Sequence, residues 1–288
     1  MLTMKWTGAA ALAATLLLTS CGMGGNDSTG KDSDSTSVPE RKVPDREKVT
    51  YTFVSGKDSS LKGYAGAQIE ALQFVNRCDE AALRKKDTVL VPSVFTEVMQ
   101  YSPFPFRVSG LNEVKKIVFF SYPAQVFAAY ENGYLVHTGP TNMGRKADPT
   151  PTGLYFCNWK AEETTSTFND EWELKWNFNI ENKLGVGWHQ YAMPGYPASH
   201  SCLRMLEADA RKMYAWADEW VLEGTDNVKA NGTPVIVFGN YPFDGEKPWM
   251  ALVADPKALD ISEEALMQQV QPHLQKIRDE QAKLGQYK

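Results

Sequence analysis

The 288-residue sequence is poor in the residues that build metal centres, with four cysteines, four histidines and neither a Cys-x-x-Cys nor a His-x-x-x-His pairing. A structural zinc site wants four ligands in short paired spacings and a catalytic one wants three. A site built from His189, His200 and Cys202 is therefore set aside, and no metal is expected. The chain also lacks a basic stripe. Its net charge is -5, whereas a nucleic-acid binder needs positive surface to neutralise phosphates, so nucleic acid is excluded as a partner. The apolar run Ala9 to Leu18 is too short to span a bilayer. What is present is the material of a folded domain: 43% hydrophobic, 11% aromatic and 23% charged residues, close to the globular average. The length suits one good-sized domain with appendages or two small ones. Eight tryptophans and twelve tyrosines either fill the core or line a groove for a sugar or peptide polymer.

Lys5 followed by Ala9 to Leu18 fits the charged and apolar regions of a secretory signal. The run ends at Leu18-Thr19-Ser20-Cys21, which resembles the lipobox of bacterial lipoproteins. That resemblance implies a signal peptide over residues 1–21 and lipidation of Cys21, with the membrane as a partner through that anchor. Residues 22–48 are Gly, Ser, Thr, Asp and Lys followed by Pro39 and Pro44, with almost nothing to bury, and read as a flexible tether. The expected location is the bacterial cell envelope, lipid-anchored and periplasmic or otherwise extracytoplasmic. Beyond Cys21 only Cys78, Cys157 and Cys202 remain, an odd number in an exported chain, so at least one thiol stays free unless it bonds another molecule. Cys78 and Cys157 are either a disulfide or two buried thiols.

Three segments follow. Residues 49–96 begin with an alternating run, Val49 to Val54, then a helical stretch from Ala67 to Val75 and a second apolar run, Val89 to Pro92. Tyr51-Thr52-Phe53, Ile69 to Leu72, Asn76 and Asp87 to Pro92 weakly resemble LysM, a strand-helix-helix-strand peptidoglycan binder. A structural cap on the next domain accounts for the same positions. Residues 113–240 are dense in strands: Lys116 to Tyr122, Gln125 to Tyr130 and Tyr134 to Thr138 around the turn Glu131-Asn132-Gly133, in which Asn-Gly is a strong type I' signal. Further strands are expected at Gly153 to Trp159, Leu174 to Ile180, Val186 to Trp188 and Pro234 to Gly239. Trp172, Trp176 and Phe178 read as core. A helix fits Glu207 to Trp220, with Ala210, Met213, Tyr214 and Ala217 on one face. Residues 241–288 are a linker and a polar surface helix from about Ser262 to Lys283, with His273 exposed. The fold is expected to be mainly β, a sandwich or barrel with one or two packed helices, a small α+β N-terminal unit and a C-terminal helix.

Half of the histidines and one cysteine fall between Trp188 and Arg204. A thiol is a poor nucleophile at neutral pH until a base takes its proton, so this stretch points to acyl transfer. His189, then Ser199-His200-Ser201-Cys202-Leu203-Arg204, resembles the signature of the L,D-transpeptidase (YkuD-type) family. That signature is a histidine, a variable loop, then Ser/Thr-His-Gly-Cys, a hydrophobic residue and Arg or Asn. Lys116 to Tyr130, Asp148-Pro149-Thr150-Pro151-Thr152-Gly153 and Gly232-Thr233-Pro234-Val235 fit the same family, which the chain resembles over roughly residues 113–240. Two features depart from it: Ser201 replaces the usual Gly, and the loop after His189 is short. A serine there serves in the same way if its φ is negative.

The resemblance implies Cys202 as nucleophile, His189 as general base and the Gln190 carbonyl as the group that fixes the His189 tautomer. It implies an oxyanion hole from the N–H groups of Ser201 and Cys202, with Ser199, His200, Tyr191 and Arg204 in support. Arg204 either binds a stem-peptide carboxylate or pins the loop. His137 ends a strand near the substrate groove or is a satisfied turn residue. The implied reaction is attack on a peptidoglycan tetrapeptide stem, release of D-alanine, and transfer of the acyl group from a thioester to an amine of a second stem or of a protein. No cofactor is implied. The alternatives are a carboxypeptidase or hydrolase of the same fold, with water as acceptor, and a non-catalytic wall-binding lipoprotein.

Overall fold

The computed structural model describes residues 40–56, 59–166 and 173–288. The signal peptide with Cys21, the tether up to residue 39, and Trp172 lie outside the described residues. Residues 40–48, read as the end of the tether, are exposed yet anchored. The Arg46 guanidinium donates to the Ser102 and Phe104 carbonyls at 2.5 and 2.7 Å.

β1 (Tyr51–Ser55) and β2 (Thr88–Pro92) pair antiparallel with Phe53 opposite Leu90. Between them lie α1 (Ala67–Asn76) and the single turn α2 (Glu80–Leu83). Ile69, Ala71, Leu72, Phe74 and Val75 are the buried apolar side chains of α1. Asp79 caps α2, its Oδ1 accepting from the Ala82 N–H at 2.7 Å, which satisfies a donor that the first helical turn leaves open. This unit is stitched to the rest of the chain: buried Arg77 donates from Nε to the Ala124 carbonyl at 2.7 Å.

The next strands are β3 (Ile117–Ser121), β4 (Val126–Glu131), β5 (Tyr134–Asn142), β6 (Gly153–Phe156), β7 (Lys160–Thr165), β8 (Glu173–Glu181), β9 (Val186–Gln190) and β10 (Leu203–Met205). After α3 (Glu207–Trp216) come the hairpin β11 (Val221–Glu223) and β12 (Asn227–Ala230), then β13 (Pro234–Phe238). Nine of these strands form one curled, mostly antiparallel sheet in the order β6-β13-β3-β4-β5-β10-β9-β8-β7. Its parallel pairs are β13 with β3 and β9 with β10. Both faces of its centre are covered, which explains why β3, β4 and β13 read as unbroken apolar runs. Ile117, Phe119, Ala128, Tyr130 and Ile236 face one core, which also takes Tyr51, Phe74 and Leu90 from the N-terminal unit. Val118, Phe120, Phe127, Ala129, Val235 and Val237 face the other, with Phe178, Trp188, Leu203 and Met205. The fold is mainly β, with few helices and a helical C-terminus, as expected. The Asn132-Gly133 turn behaves as its residues dictate, with φ 48° and 78° in the left-handed region of a type I' turn. A Cβ on Gly133 would fall 1.9 Å from the Arg107 guanidinium.

Two expectations change. The expected helix to Trp220 ends at Trp216, and Ala217 is already extended with ψ 152°. The backbone of Asp218 is bonded instead to Thr233, whose N–H donates to the Asp218 carbonyl at 3.0 Å and whose Oγ1 accepts its N–H at 2.9 Å. The single polar C-terminal helix is instead α4 (Glu263–Val270), a 3-10 turn at Gln271–His273, and α5 (Leu274–Gly285). Pro272 has no N–H to continue the helix and its ring crowds the preceding turn. Nor is this segment merely superficial, because Leu266, Val270 and Ile277 are fully buried in the first core. His273 is half-buried rather than exposed.

Candidate active site

The chemistry-bearing side chains are brought together by register. β9 and β10 run parallel with Leu203 opposite Trp188 and Arg204 opposite His189. Side chains alternate along a strand, so Trp188 and Leu203 enter the core, both fully buried. His189, Arg204 and, one step before the strand, Cys202 share the other face. There Cys202, His189, Tyr191, Ser199, His200 and Arg204 line a cavity of about 30 Å³, together with Ser166 and Leu174. Gly187 belongs to the same arrangement. A Cβ on it would fall 2.5 Å from the Phe178 carbonyl oxygen, so only glycine lets β8 and β9 approach this closely beside the thiol.

His189 is 3% exposed and its Nδ1 lies 3.0 Å from the Gln190 carbonyl oxygen. A carbonyl only accepts, so Nδ1 carries the proton and Nε2 keeps the lone pair. Burial pushes the imidazole down to about 4, against a smaller upward pull from the Gln190 hydrogen bond. Burial also raises the Cys202 thiol, partly offset by a backbone hydrogen bond from Gly187 and by the Arg204 charge. The Cys202 Sγ points to the Gly185 carbonyl at 3.7 Å. Both shifts favour the neutral forms, a thiol and an uncharged imidazole that line one small cavity.

The segment before Cys202 is held by hydrogen bonds from several directions. Thr150, buried in the Thr-Pro-Thr-Gly turn, donates from Oγ1 to the Ser201 carbonyl at 2.9 Å and accepts the Gly144 N–H at 2.9 Å. Ser199 Oγ donates to the Cys202 carbonyl at 2.5 Å, while its backbone pairs with Met143 and Arg145 at 3.1 and 2.9 Å. Under this restraint Ser201 takes φ 76°. The condition of a negative φ is therefore not met: the surrounding bonds hold a left-handed geometry that a glycine would adopt freely, and serine takes it at a cost of about 1 kcal/mol. His200 sits on a turn rather than a strand, its Nε2 3.9 Å from the Asp148 carboxylate.

Arg204 donates to the Ala192 carbonyl at 3.0 Å and stacks 4.5 Å over the Tyr191 ring, which pins the loop while leaving the guanidinium on the cavity wall. Cys78 and Cys157 are free and buried, so they form no disulfide. His137 stands 2.9 Å from Asp209, outside the thiol pocket. Among the described residues no group of three or more His, Cys, Asp or Glu is placed to hold a metal ion, and no helix is long and apolar enough to cross a membrane. One contributor has no signature in the sequence. Asp79 Oδ2 accepts the Met193 N–H at 2.7 Å and its own N–H donates to the Met193 carbonyl at 3.0 Å, which fixes the loop between His189 and Cys202. No sequence signal links a helix cap in the N-terminal unit to a loop more than a hundred residues away.

The fold and the site define a curled β-sheet protein with a buried imidazole and a thiol on one wall of a small cavity. Residues 115–237 match the family model of YkuD, the L,D-transpeptidase catalytic domain. Solved structures similar to the chain include an L,D-transpeptidase from Stackebrandtia nassauensis, at 23% identity over 45% of this chain and 58% of that one, with a TM-score of 0.37. An L,D-transpeptidase from Mycobacterium tuberculosis matches at 22% identity over 43% and 58%, with a TM-score of 0.35. L,D-transpeptidase 3 of Mycobacterium tuberculosis, in complex with a faropenem-derived adduct, matches at 21% over 43% and 60%, with a TM-score of 0.34. The chain thus spans less than two thirds of each of these structures. Comparison with curated proteins gives no match.

Proposed function

We propose that the chain is a cysteine-dependent peptidoglycan L,D-transpeptidase. The observation that carries this reading is the placement of Cys202 and His189 in one pocket on the same face of β9 and β10, with His189 Nδ1 bound to the Gln190 carbonyl. His189 Nε2 takes the thiol proton as Sγ attacks the carbonyl between the third stem residue and the terminal D-alanine. The N–H groups of Ser201 and Cys202 receive the developing oxyanion. As the tetrahedral intermediate collapses, the proton returns to the leaving nitrogen and D-alanine departs, leaving the stem acyl group on sulfur as a thioester. An amine then attacks that thioester, forming the amide and restoring the thiol. Arg204 and Tyr191 orient the donor, while Ser199 and His200 support the turn. Lipidation at Cys21, a tether from that anchor, and wall binding by residues 49–96 belong to the same proposal. They would hold the enzyme on a membrane facing the polymer.

Intact-protein mass spectrometry after exposure to faropenem tests the reading, since a strained lactam acylates an activated nucleophile. A single adduct on the wild-type chain, absent from Cys202→Ala, is the expected outcome. A wild-type chain that stays unmodified with its thiol shown free returns the weight to a non-catalytic wall-binding protein.

A further inference from the structure

A cavity of about 530 Å³ lies where β1, the turn at Tyr101 and the segment 252–260 meet, and it shares no lining residue with the thiol pocket. Two polar side chains that line it are more than nine-tenths buried, Arg77 at 2% exposed and Tyr51 at 7%. The Arg77 guanidinium donates from Nε to the Ala124 carbonyl and from Nη1 to the Phe74 carbonyl. Its Nη2 and the Tyr51 hydroxyl donate to no acceptor among the described residues, and no carboxylate there forms an ion pair with the guanidinium. A buried cation is costly to hold without a counter-charge. Burial lowers Arg77 only to about 10 and raises the Tyr51 phenol to about 12. At neutral pH the first therefore stays charged and the second keeps its proton, and both remain available to a molecule in the cavity.

The rest of the lining selects what carries the acceptor. Around the exposed mouth the charges cancel, Arg46, Lys48 and Lys257 against Glu47, Asp255 and Asp260. The interior is left with the single positive charge of Arg77, between walls formed by Val49, Pro103, Leu252 and Leu259. A cavity of this size with apolar walls and a few convergent polar groups suits a small organic ligand. One carboxylate meets both donors. A dianion brings a second charge that no buried group meets and that the carboxylates of the mouth repel.

We propose that this cavity binds an amphiphilic monocarboxylate, its head on Arg77 Nη2 and the Tyr51 hydroxyl and its apolar body along Val49, Leu252 and Leu259. The head makes charge-assisted hydrogen bonds, the stronger kind, and the body removes apolar wall from water. No residue of the thiol pocket takes part, so the site stands independently of the transpeptidase reading.

The test titrates the full chain by calorimetry with three probes: decanoate, decylammonium as its charge-reversed counterpart, and acetate as the head group alone. Decanoate is expected to fill one saturable site with a Kd of roughly 10 to 500 µM. Decylammonium should bind weaker by roughly 10-fold or more, and acetate should give no measurable heat. Tyr51→Phe keeps the ring and removes only the hydroxyl, and it should weaken decanoate roughly 10-fold, as expected for one hydrogen bond to a charged group. Leu259→Trp fills the cavity from its half-buried wall and should abolish binding while the thermal midpoint is held. Decylammonium binding as tightly as decanoate overturns the inference. So does decanoate affinity unchanged by either substitution, or no saturable decanoate binding to the wild-type chain.

Discussion

Cys157 and Cys202 are thiols set against the same sheet, and burial raises the pKa of both, yet only one of them has chemical company. Cys157 is fully buried in the second core, its backbone N–H bonded to the Thr233 carbonyl at 2.8 Å. Cys202 is half-exposed on a cavity wall shared with His189 and Arg204. A lowered resting pKa therefore does not mark the proposed nucleophile. What separates the two is a neutral base on the same face of the sheet and an opening through which an acyl group can arrive.

The largest expected difference between them is in acylation. Cys202→Ala abolishes the faropenem adduct, whereas Cys157→Ala leaves it in place and lowers stability by about 1 kcal/mol through a small void in the core, read as a shift in urea midpoint. Adduct formation by Cys157 in the Cys202→Ala chain would erase the distinction. His189→Gln removes the base and keeps the shape of the pocket; its acylation rate at pH 7 should fall about 100- to 10,000-fold with Cys202 still present. An unchanged rate would show that the imidazole is not what sets Cys202 apart.

Acid unfolding sharpens the contrast from the side of the base. The buried imidazole titrates at about 4 against an ordinary value of 6.5, so the unfolded chain binds a proton first as pH falls. Stability tied to this group is intact above pH 6.5 and is lost progressively toward pH 4, by about 3 kcal/mol for a shift of this size. His189→Gln should flatten that part of the stability curve, and denaturant titrations across this pH range measure it. The smallest effect concerns the backbone beside the nucleophile. Ser201→Gly relieves the left-handed strain at φ 76° and should stabilise the chain by about 1 kcal/mol while acylation persists. Destabilisation by the glycine would mean that the Ser201 hydroxyl, which donates to the His200 carbonyl, outweighs the strain.

Much of this was legible in the sequence because local patterns carry it. The Asn132-Gly133 turn, the apolar runs of β3, β4 and β13, and the grouping of His189 with Cys202 each follow from residues close together in the chain. The errors also have local causes. The polar residues on both sides of Pro272 predict a single surface helix, although the buried positions Leu266, Val270, Ile277 and Leu284 continue the stripe across the break. Nothing near Trp216 announces the end of the helix after Glu207; the partner that takes over the backbone, Thr233, arrives from another part of the chain.

By itself the sequence determined the class of fold, the grouping of one thiol with two imidazoles in a short stretch and the turn residues between strands, since each depends on side-chain chemistry and short-range spacing. The tertiary structure alone decided the rest. It set the β9 and β10 register that places His189 and Cys202 on one face, the bond from Thr150 to the Ser201 carbonyl, the clamp of Asp79 on Met193, and the left-handed backbone at Ser201. These are contacts between segments far apart in the chain, fixed only when two cores close on opposite faces of one sheet, and hydrogen bonds of that kind leave no period or motif to read.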